Sequence, residues 1–409
     1  MMAAITAAET GAAVLLIERE EKLMRKLRIT GKGRCNITNH CDNDTVMKNV
    51  VRNGRFLYSA LSGFSTDDAM EFFEKLGVHL KIERGNRVFP VSDRAEDVVN
   101  ALRMEAIRVG VEFLYARAEE ICAADGRVIT VKADDYAVHC DAAILCTGGL
   151  SYPKTGSTGD GYRMAQQLGH TVTELRPSLV SLCSEDEDCA EMQGLSLRNV
   201  AVSLVEDGTK TVRTELGEMQ FTHFGVTGPL ILSASSHMKP GKRYSLRIDL
   251  KPGLDEKTLD ARLLRDFSEN LNREFRNSLS GLLPRLMIPV VVRRSGIPPE
   301  TRVNAITREQ RANLLKELKR FEISVSGTRP IDEAVITSGG IHIKEIYPAT
   351  MMSKLVNGLF FAGEIMDVDA YTGGFNLQIA WCTGKAAGAS AAAYSMERKE
   401  DHVNTERGD

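Results

Sequence analysis

The chain has 409 residues, of which 43% are apolar and 26% are charged, and its formal net charge is −3. This length can bury one large core or about two or three domains, and the interspersed charges give no broad basic field, which argues against nucleic acid or an anionic membrane as partner. The eight cysteines form no C-x-x-C pair, which indicates reduced thiols in a cytoplasmic protein and no metal site.

The first twenty residues, MMAAITAAETGAAVLLIERE, predict a helix rich in small residues and then a buried strand that ends at Glu18. No basic residue precedes Arg19 and Glu9 interrupts the apolar run, which argues against a signal peptide or a membrane span. In a dinucleotide-binding unit, an acid at the end of the second strand binds the ribose about 20 residues after a glycine loop. Glu18 fits that place, although the first strand and its phosphate-binding loop are missing. An ordinary helix and buried strand remain the alternative.

Residues 19–149 predict an alternation of loops, helices and strands. GKGRCNITN (31–39) is a glycine loop, and Ser65 with Asp68 forms a capping box for a helix that ends near Gly77. HLKIERGNRVFPV predicts a hairpin, a helix follows over 93–109, and short strands follow at 111–122, 127–132 and 136–139. The buried run DAAILC then leads into the glycine turn TGG at 147–149, which is typical of a parallel strand.

The residue pattern changes from alternating helices and buried strands to polar alternating strands at about residue 183, and the earlier pattern returns at about residue 331. Residues 183–252 alternate as polar strands, and residues 253–320 are charged and helical, with TREQRANLLKELKR the clearest amphipathic helix. We therefore predict a discontinuous domain of residues 1–182 and 331–395, an inserted substrate or cap domain of residues 183–330, and a flexible tail at 396–409.

Four glycine turns follow apolar strands or precede helices, at 31–36, 146–162, 361–364 and 371–378. Together they predict one crevice at the carboxyl edge of an open sheet, where backbone N–H groups approach a ligand closely. In YTGGFNLQ a helix that starts near Gly374 would direct its amides at a flavin, with Phe375, Asn376 and Gln378 beside the ring. Helix capping and close packing through Gly384 and Gly388 are the alternative for this segment.

These motifs resemble a known family. IERE, ITGKGRCNITN, CTGGLSYPKTGSTGDGY, THFGVTGPLILSAS, TSGGI and GLFFAGEIMDVDAYTGGFNLQIAWCTGKAAG stand in the same order in the bacterial NAD(P)/FAD-dependent oxidoreductases of the aminoacetone oxidase or BaiN-like family. The resemblance covers nearly the whole chain. It implies an α/β protein with a Rossmann-like FAD-binding domain of the glutathione-reductase type, an inserted β-barrel-like and helical domain, and FAD-dependent chemistry on a small organic substrate.

Members of that family begin with a strand and a G-x-G-P-A-G loop, directly before a helix like MMAAITAAE. We therefore expect the functional product to be longer than this sequence, and we expect the chain as given to bind FAD weakly because the pyrophosphate lacks its main cradle.

The resemblance also implies the FAD contacts. Glu18 holds the adenosine ribose, with Arg19 beside it, and the other implied contacts follow the four glycine turns: Gly31, Lys32, Gly33, Arg34, Cys35, Asn36, Thr147, Gly148, Gly149, Gly363, Glu364, Asp369, Gly373, Gly374, Phe375 and Asn376. For Lys32 and Arg34 a solvated loop charge is the alternative. For Cys35 a packed thiol is favoured over a redox role, since it has no C-x-x-C partner.

The sequence points to no definite catalytic base. His223 and His342 each stand beside a glycine turn, with a structural role as the alternative, and Tyr152 and Lys154 are weaker candidates. Two reactions stay open: oxidation of a small amine by oxygen, and NAD(P)H-linked reduction of an unsaturated substrate, with NAD(P)H docking transiently. A cofactor-free remnant or a binding protein without catalysis is the alternative of a different class.

Overall fold

The computed structural model describes residues 1–406, with side chains described as far as residue 398. The chain forms two units: the first comprises Met1–Ser178 and the segment from Ile331 onward, and the second comprises Leu179–Pro330. The sequence pattern puts the first boundary at 183 rather than 179. Within the described residues, no helix combines the length and apolar character that crossing a membrane requires.

The strands are short in the first unit and long in the second. In chain order they are Leu15–Glu18 (β1), Thr38–Asn39 (β2), Val50–Arg52 (β3), Leu80–Glu83 (β4), Arg87–Pro90 (β5), Glu112–Tyr115 (β6), Ala118–Ala124 (β7), Arg127–Ala133 (β8), Tyr136–His139 (β9), Ala143–Leu145 (β10), Arg176–Ser178 (β11), Leu182–Cys183 (β12), Ser196–Glu206 (β13), Lys210–Thr222 (β14), Gly225–Thr227 (β15), Tyr244–Asp249 (β16), Phe321–Val325 (β17), Gly327–Thr328 (β18), Ile336–Ser338 (β19), Leu359–Phe361 (β20) and Asp369–Ala370 (β21).

The α-helices of the described residues include one much longer than the rest. They are Met2–Glu9 (α1), Arg25–Ile29 (α2), Asn43–Asn49 (α3), Tyr58–Gly63 (α4), Thr66–Lys75 (α5), Ala95–Arg108 (α6), Asp160–Gln167 (α7), Glu187–Glu191 (α8), Pro229–Ser235 (α9), Glu256–Ser268 (α10), Ile288–Ser295 (α11), Arg308–Lys319 (α12) and Phe375–Glu406 (α13).

Two parallel strand pairs organise the first unit. β1 pairs with β6 and β10 pairs with β20, each in parallel register. The strands of β10 and β20 are apolar, and Phe360 and Phe361 are completely buried in the main core. Parallel pairs covered by helices are typical of an α/β Rossmann domain, and this confirms the predicted fold class.

Helix α1 packs directly on helix α13 through small residues. A Cβ added at Gly388 would lie 2.3 Å from the backbone oxygen of Ala3, and one at Gly384 would lie 3.2 Å from the Cβ of Met2. The two helix backbones can approach this closely only because these positions lack side chains. The close packing that the sequence offers as one interpretation of Gly384 and Gly388 is therefore present.

The second unit is built on a seven-stranded sheet in the order β17-β16-β13-β14-β15-β12-β18, and every neighbouring pair with a recorded register is antiparallel. Helices α10, α11 and α12 bury Leu263, Val291 and Leu314 in the core of this unit. A β-rich first half followed by helices agrees with the pattern of residues 183–320.

The helix start that the sequence predicts from side-chain capping is confirmed. Ser65 and Asp68 form the expected capping box at the start of α5, and Thr307 with Gln310 forms another at the start of α12. Helix α13 continues to Glu406, so residues 396–406 are helical, and the flexibility of this tail stays a prediction. The alanine-rich stretch before it favours continued helix formation. Residues 407–409 lie outside the described residues.

Candidate cofactor site

A cavity of about 750 Å³ lies in the first unit between the two parallel strand pairs. Its walls include all of β1, all of β10 and the first turns of α1. At one end it reaches the segments that follow the carboxyl ends of β1, β10 and β20, where ligands of open α/β sheets bind.

Six of the predicted cofactor residues line this cavity. They lie at the end of β1 and in the segments that follow β1, β10 and β20: Glu18, Arg19, Thr147, Gly148, Gly363 and Glu364. The other predicted cofactor residues do not line it. The structure thus brings the adenosine-side residues together with the FAGE turn, and their role toward FAD stays a prediction.

Glu18 ends β1 with its side chain half-buried, and one carboxylate oxygen accepts a hydrogen bond from the backbone N–H of Glu20 at 3.0 Å. Arg19 points to the other wall, where it donates to Thr158 at 2.8 Å and lies 3.4 Å from Asp160. The second oxygen of Glu18 has no protein partner among the described residues, so it can accept a hydrogen bond from a ligand hydroxyl.

Two buried hydroxyls have no hydrogen-bond partner in the described part of the chain: that of Thr147, just after β10, and that of Tyr162 in α7, which does not line the cavity. Thr147 lines the cavity, and a Cβ added at Gly161 would lie only 2.0 Å from its Oγ1. Burial raises the pKa of Tyr162 well above its usual range. Since buried polar atoms are nearly always satisfied, the unpaired hydroxyl of Thr147 in the cavity wall fits a polar ligand such as a nucleotide cofactor.

Glu364 is the centre of a hydrogen-bonded cluster that closes this end of the cavity. Its carboxylate accepts from Lys26 Nζ at 2.6 Å, from Ser151 Oγ at 2.9 Å and from the backbone N–H of Thr337 at 2.9 Å. Lys26 also contacts Ser151 Oγ at 2.6 Å. Sequence reasoning missed Lys26, Ser151 and Thr337, because no local pattern links residues that are so far apart along the chain.

The other two glycine turns form a second cluster. A Cβ added at Gly374 would lie 2.3 Å from the backbone oxygen of Thr38, and Asn39 donates to the backbone oxygen of Gly373 at 3.0 Å. Gln378 is buried between them, where it accepts from Thr38 Oγ1 at 2.8 Å. Trp381 donates to the backbone oxygen of Ile37 at 2.9 Å. The start of α13 therefore packs closely against the segment GKGRCNITN and is hydrogen-bonded to it.

The GKGRCN loop has an unusual backbone. Besides Gly31 and Gly33, the non-glycine residues Lys32 and Cys35 have positive φ, both at 61°. Such conformations cost about 1–3 kcal/mol each and cluster at functional sites. Burial raises the pKa of Cys35 to about 12, which agrees with a packed thiol rather than a reactive one.

Arg34 and Asn36 stand in different surroundings. Arg34 pairs with Glu83 and Asp93 and lies over the ring of Phe89, and its hydrogen bonds to the two carboxylates raise its pKa. Asn36 has a buried Oδ1 without a partner in the described residues. The unpaired amide oxygen of Asn36 is therefore the better candidate for a ligand contact in this loop, and the charge of Arg34 is used within the protein.

The residues around YTGGFN support the loop itself. Asn376 accepts from the backbone N–H of Ala370 at 2.9 Å and donates to the oxygen of the same residue at 2.8 Å, and Phe375 is buried. Asp369 is buried and accepts from Ser178 and Ser338, and burial raises its pKa. These contacts brace the turn; the predicted ring contacts of Asn376 and Phe375 stay predictions.

The four candidate catalytic residues are divided between the two units, with His223 in the second and the other three in the first. His223 is exposed in the second unit beside Phe224, while His342 accepts from the backbone N–H of Lys344 at 3.3 Å. Tyr152 and Lys154 lie in a short turn after β10. Within the described residues, no group of His, Cys, Asp and Glu could hold a metal ion.

One histidine that the sequence did not single out is buried in a triad-like contact. His170 lies 3.1 Å from Glu345 and 2.8 Å from Ser353 Oγ. Ser353 is only 1% exposed and accepts from the backbone N–H groups of Leu355 and Val356. A substrate cannot reach it, so this triad has a structural role.

Parallel strand pairs covered by helices, with glycine turns at their carboxyl ends and an unpaired buried hydroxyl beside them, are typical of a dinucleotide-binding Rossmann protein. Comparisons with known proteins give the particular family. A family model described as the HI0933-like protein Rossmann domain matches residues 1–390. The chain therefore belongs to the HI0933-like family; it is a flavin-dependent oxidoreductase with FAD as its cofactor.

Two relatives match over almost their full length. The chain is 30% identical over 402 residues to the 3-dehydro-bile acid delta(4,6)-reductase of Clostridium scindens, with 96% of each protein covered. It is 31% identical over 387 residues to the ribosomal RNA dihydrouridine synthase of Escherichia coli, with 94% of each covered. Among solved structures, an open flavocytochrome c3 fumarate reductase matches with a TM-score of 0.47 and 17% identity, covering 97% of this chain and 76% of that one.

Proposed function

We propose that this protein uses FAD to reduce a carbon–carbon double bond that is conjugated with a carbonyl group in a small organic substrate. One observation carries the proposal. Two relatives that match over nearly their whole length have names that both describe the addition of hydrogen to a carbon–carbon double bond. Of the two reactions that the sequence leaves open, reduction is therefore favoured over amine oxidation.

The residues present fit FAD. Glu18 has a free carboxylate oxygen for a ribose hydroxyl, Thr147 offers an unpaired hydroxyl, and Gly148 keeps the wall open beside it. When bound, FAD supplies the two-electron redox chemistry, and the protein orients the substrate and excludes water. We infer that NAD(P)H supplies the electrons by docking transiently.

Three arginines of the second unit that are already paired within the protein favour a small substrate over RNA. Arg293 and Arg294 both pair with Asp188, and Arg311 pairs with Asp260. Basic residues that are already neutralised within the protein release no counterions from a phosphate backbone, so they add little affinity for nucleic acid.

The test is anaerobic reduction of the reconstituted flavoprotein, followed by its visible spectrum. NADPH is expected to bleach the flavin band, and a 3-keto steroid with a Δ4 double bond is expected to restore it. Bleaching by small amines and not by NADPH would contradict the proposal and favour amine oxidation. Restoration by an uridine-containing rRNA fragment alone would contradict the small-substrate assignment.

Two variants make the result specific to the cavity. Glu18→Ala is expected to weaken FAD binding by at least about tenfold, because a hydrogen bond to a charged group contributes about 1.5–3 kcal/mol. Glu21→Ala, which removes an exposed acid outside the cavity, is the matched control and is expected to bind FAD as the parent does. Protein that folds and never retains flavin would favour the cofactor-free alternative.

A further inference from the structure

The hairpin of β4 and β5 ends in an exposed turn, residues 84–87, which we call the hairpin tip. Gly85 and Asn86 have positive φ angles of 77° and 56°, a conformation that glycine and asparagine adopt most readily. The second strand of the hairpin also pairs with β2, where Arg87 lies opposite Asn39. The three strands form one sheet in the order β2-β5-β4, so the hairpin tip has a fixed position beside the GKGRCNITN segment.

One side chain connects the hairpin tip to the turn YTGG at 371–374, which the sequence predicts beside the flavin ring. The amide nitrogen of Asn39 donates to the backbone oxygen of Gly85 at 3.0 Å and to that of Gly373 at 3.0 Å. Asn39 is buried, and both of its amide hydrogens are used in these two contacts. A ligand that approaches this turn therefore comes close to the hairpin tip.

The charges at the base of the hairpin are already paired. Arg34 binds the carboxylates of Glu83 and Asp93, and Lys81 Nζ donates to Asp93 at 2.6 Å. Hydrogen bonds from Lys81 and Arg34 lower the pKa of Asp93. These two carboxylates are therefore occupied by cations at the base of the hairpin, and neither is left to neutralise the hairpin tip.

The two arginines of the hairpin tip are in a different situation. Arg84 and Arg87 are exposed, and neither forms an ion pair with an acid of the described residues. Glu83 lies opposite Arg87 in the strand ladder, but its carboxylate binds Arg34. Arg87 Nε donates to the backbone oxygen of Arg84 at 3.0 Å, and its guanidinium carbon lies 5.7 Å from the centre of the Phe89 ring. These contacts orient Arg87 and leave its Nη groups, like the whole guanidinium of Arg84, for a ligand.

A guanidinium group with free N–H groups can bind two phosphate oxygens at once, which makes these arginines suited to a phosphate. A nicotinamide dinucleotide has to place its ring at the flavin, and its pyrophosphate is the charged group nearest to that ring. We propose that Arg84 and Arg87 bind the pyrophosphate of NAD(P)H while its nicotinamide ring approaches the turn at 371–374. This inference rests on the proposed function, in which NAD(P)H supplies the electrons.

The position of the site on the protein surface determines how strongly it binds. Both arginines are exposed to solvent, so the affinity that they add is moderate and falls with ionic strength. Such a site binds the reduced dinucleotide and releases the oxidised one readily, as transient docking requires. Because NADH and NADPH share the pyrophosphate, this contact does not discriminate between them.

The experiment uses the reconstituted flavoprotein and three single variants. Arg84→Gln and Arg87→Gln each remove one charge from the hairpin tip. Arg103→Gln is the matched control, since Arg103 is an exposed arginine of α6 that also has no acidic partner in the part of the chain that the structure describes. The dissociation constants of NADP⁺ and NAD⁺ are measured by titration calorimetry at low and at high ionic strength. Anaerobic bleaching of the flavin is followed against NADPH concentration.

Each variant of the hairpin tip is expected to weaken binding of both NADP⁺ and NAD⁺ about three- to tenfold at low ionic strength, and by less at high ionic strength. The NADPH concentration for half-maximal bleaching should rise by the same factor. The bleaching rate at saturation should stay within about twofold, because the lost contact is equal in the ground and transition states. Arg103→Gln should behave as the parent does, and Arg84→Lys should recover part of the affinity.

Binding of both dinucleotides as in the parent by the two variants of the hairpin tip would overturn the site, while bleaching of the parent by NADPH would still support the proposed function. A parent that binds NADP⁺, with the expected loss in the variants, and is not bleached by NADPH would contradict the proposed function and leave the site in place. An effect on NADP⁺ without one on NAD⁺ would refute the assignment to the pyrophosphate. Weaker binding of a Δ4-3-keto steroid that bears a carboxylate, with unchanged binding of NADP⁺, would refute the assignment to the reductant.

Discussion

The Glu364 cluster allows a quantitative test, because its partners are known atom by atom. Glu364→Gln keeps the size of the side chain and removes its charge, and it leaves Lys26 as a partly buried cation without a counter-charge. Lys26→Met removes the cation and leaves the carboxylate. In the double variant both charges are absent and the methionine can pack against apolar neighbours.

The magnitude follows from the burial of the pair. The Lys26 side chain is 24% exposed and that of Glu364 is 15% exposed, so the pair is neither at the surface nor deep in the core. Surface pairs contribute about 0–1 kcal/mol, and breaking a buried pair costs about 3–5 kcal/mol. We therefore expect about 2–3 kcal/mol for each single variant, with the double variant costing less than the sum.

The assay is thermal unfolding of the cofactor-free protein, monitored together with the heat of unfolding. A loss of about 2–3 kcal/mol in a unit of this size lowers Tm by roughly 4–12 °C. The four proteins form a double-mutant cycle with an expected coupling of at least about 1 kcal/mol. Strict additivity, within about 0.5 kcal/mol, would refute the reasoning that Lys26 and Glu364 stabilise each other across the cavity end.

Three further predictions follow from single contacts. Gly388→Ala places a methyl group 2.3 Å from a backbone oxygen of α1 and is expected to lower the free energy of unfolding by about 1–3 kcal/mol. In the control Gly63→Ala the added methyl group meets nothing within 4 Å, so Tm should stay unchanged or rise. Equal effects of the two variants in thermal unfolding would contradict the α1–α13 packing. Thr147→Val removes an unpaired buried hydroxyl, so the cofactor-free protein should keep its Tm. FAD affinity, measured by fluorescence titration, should fall about tenfold. An unchanged FAD affinity would show that Thr147 does not contact the cofactor. Burial lowers the pKa of His170, so the folded state resists protonation and the free energy of unfolding should fall as pH decreases from about 6.5. In urea titrations at several pH values, His170→Gln should reduce the dependence of the free energy of unfolding on pH. An unchanged pH dependence in this variant would show that other groups cause it.

How much the sequence could predict depends on how far apart the interacting residues are. The capping box at Ser65 is predicted correctly, because all its hydrogen bonds form within three residues. The family motifs fixed the fold class and FAD, since they span nearly the whole chain in order. By contrast, Lys26 and Glu364 are 338 positions apart, and no periodicity in the sequence relates them.

Asn376 shows a different limit. Its position after two glycines predicts a ring contact, yet its amide is used on both sides by the backbone of Ala370. A polar residue beside a glycine turn can bind a ligand or hold the turn in shape, and the same local sequence serves either purpose. Only the positions of the neighbouring backbone groups decide between them.

The path of the chain between its two units has a further consequence. Strand β11, just before the second unit, pairs with β19, just after it, and inside the second unit the first strand β12 pairs with the last strand β18. Arg329 donates to the backbone oxygen of Ser181 at 2.9 Å beside that pair. These strand pairs therefore hold the two ends of residues 179–330 next to each other, and none of the residues between the paired strands takes part in them. Because the cost of closing a loop rises only slowly with its length, the intervening segment can lengthen, shorten or be exchanged for another with little penalty to the sheet that carries the cofactor loops.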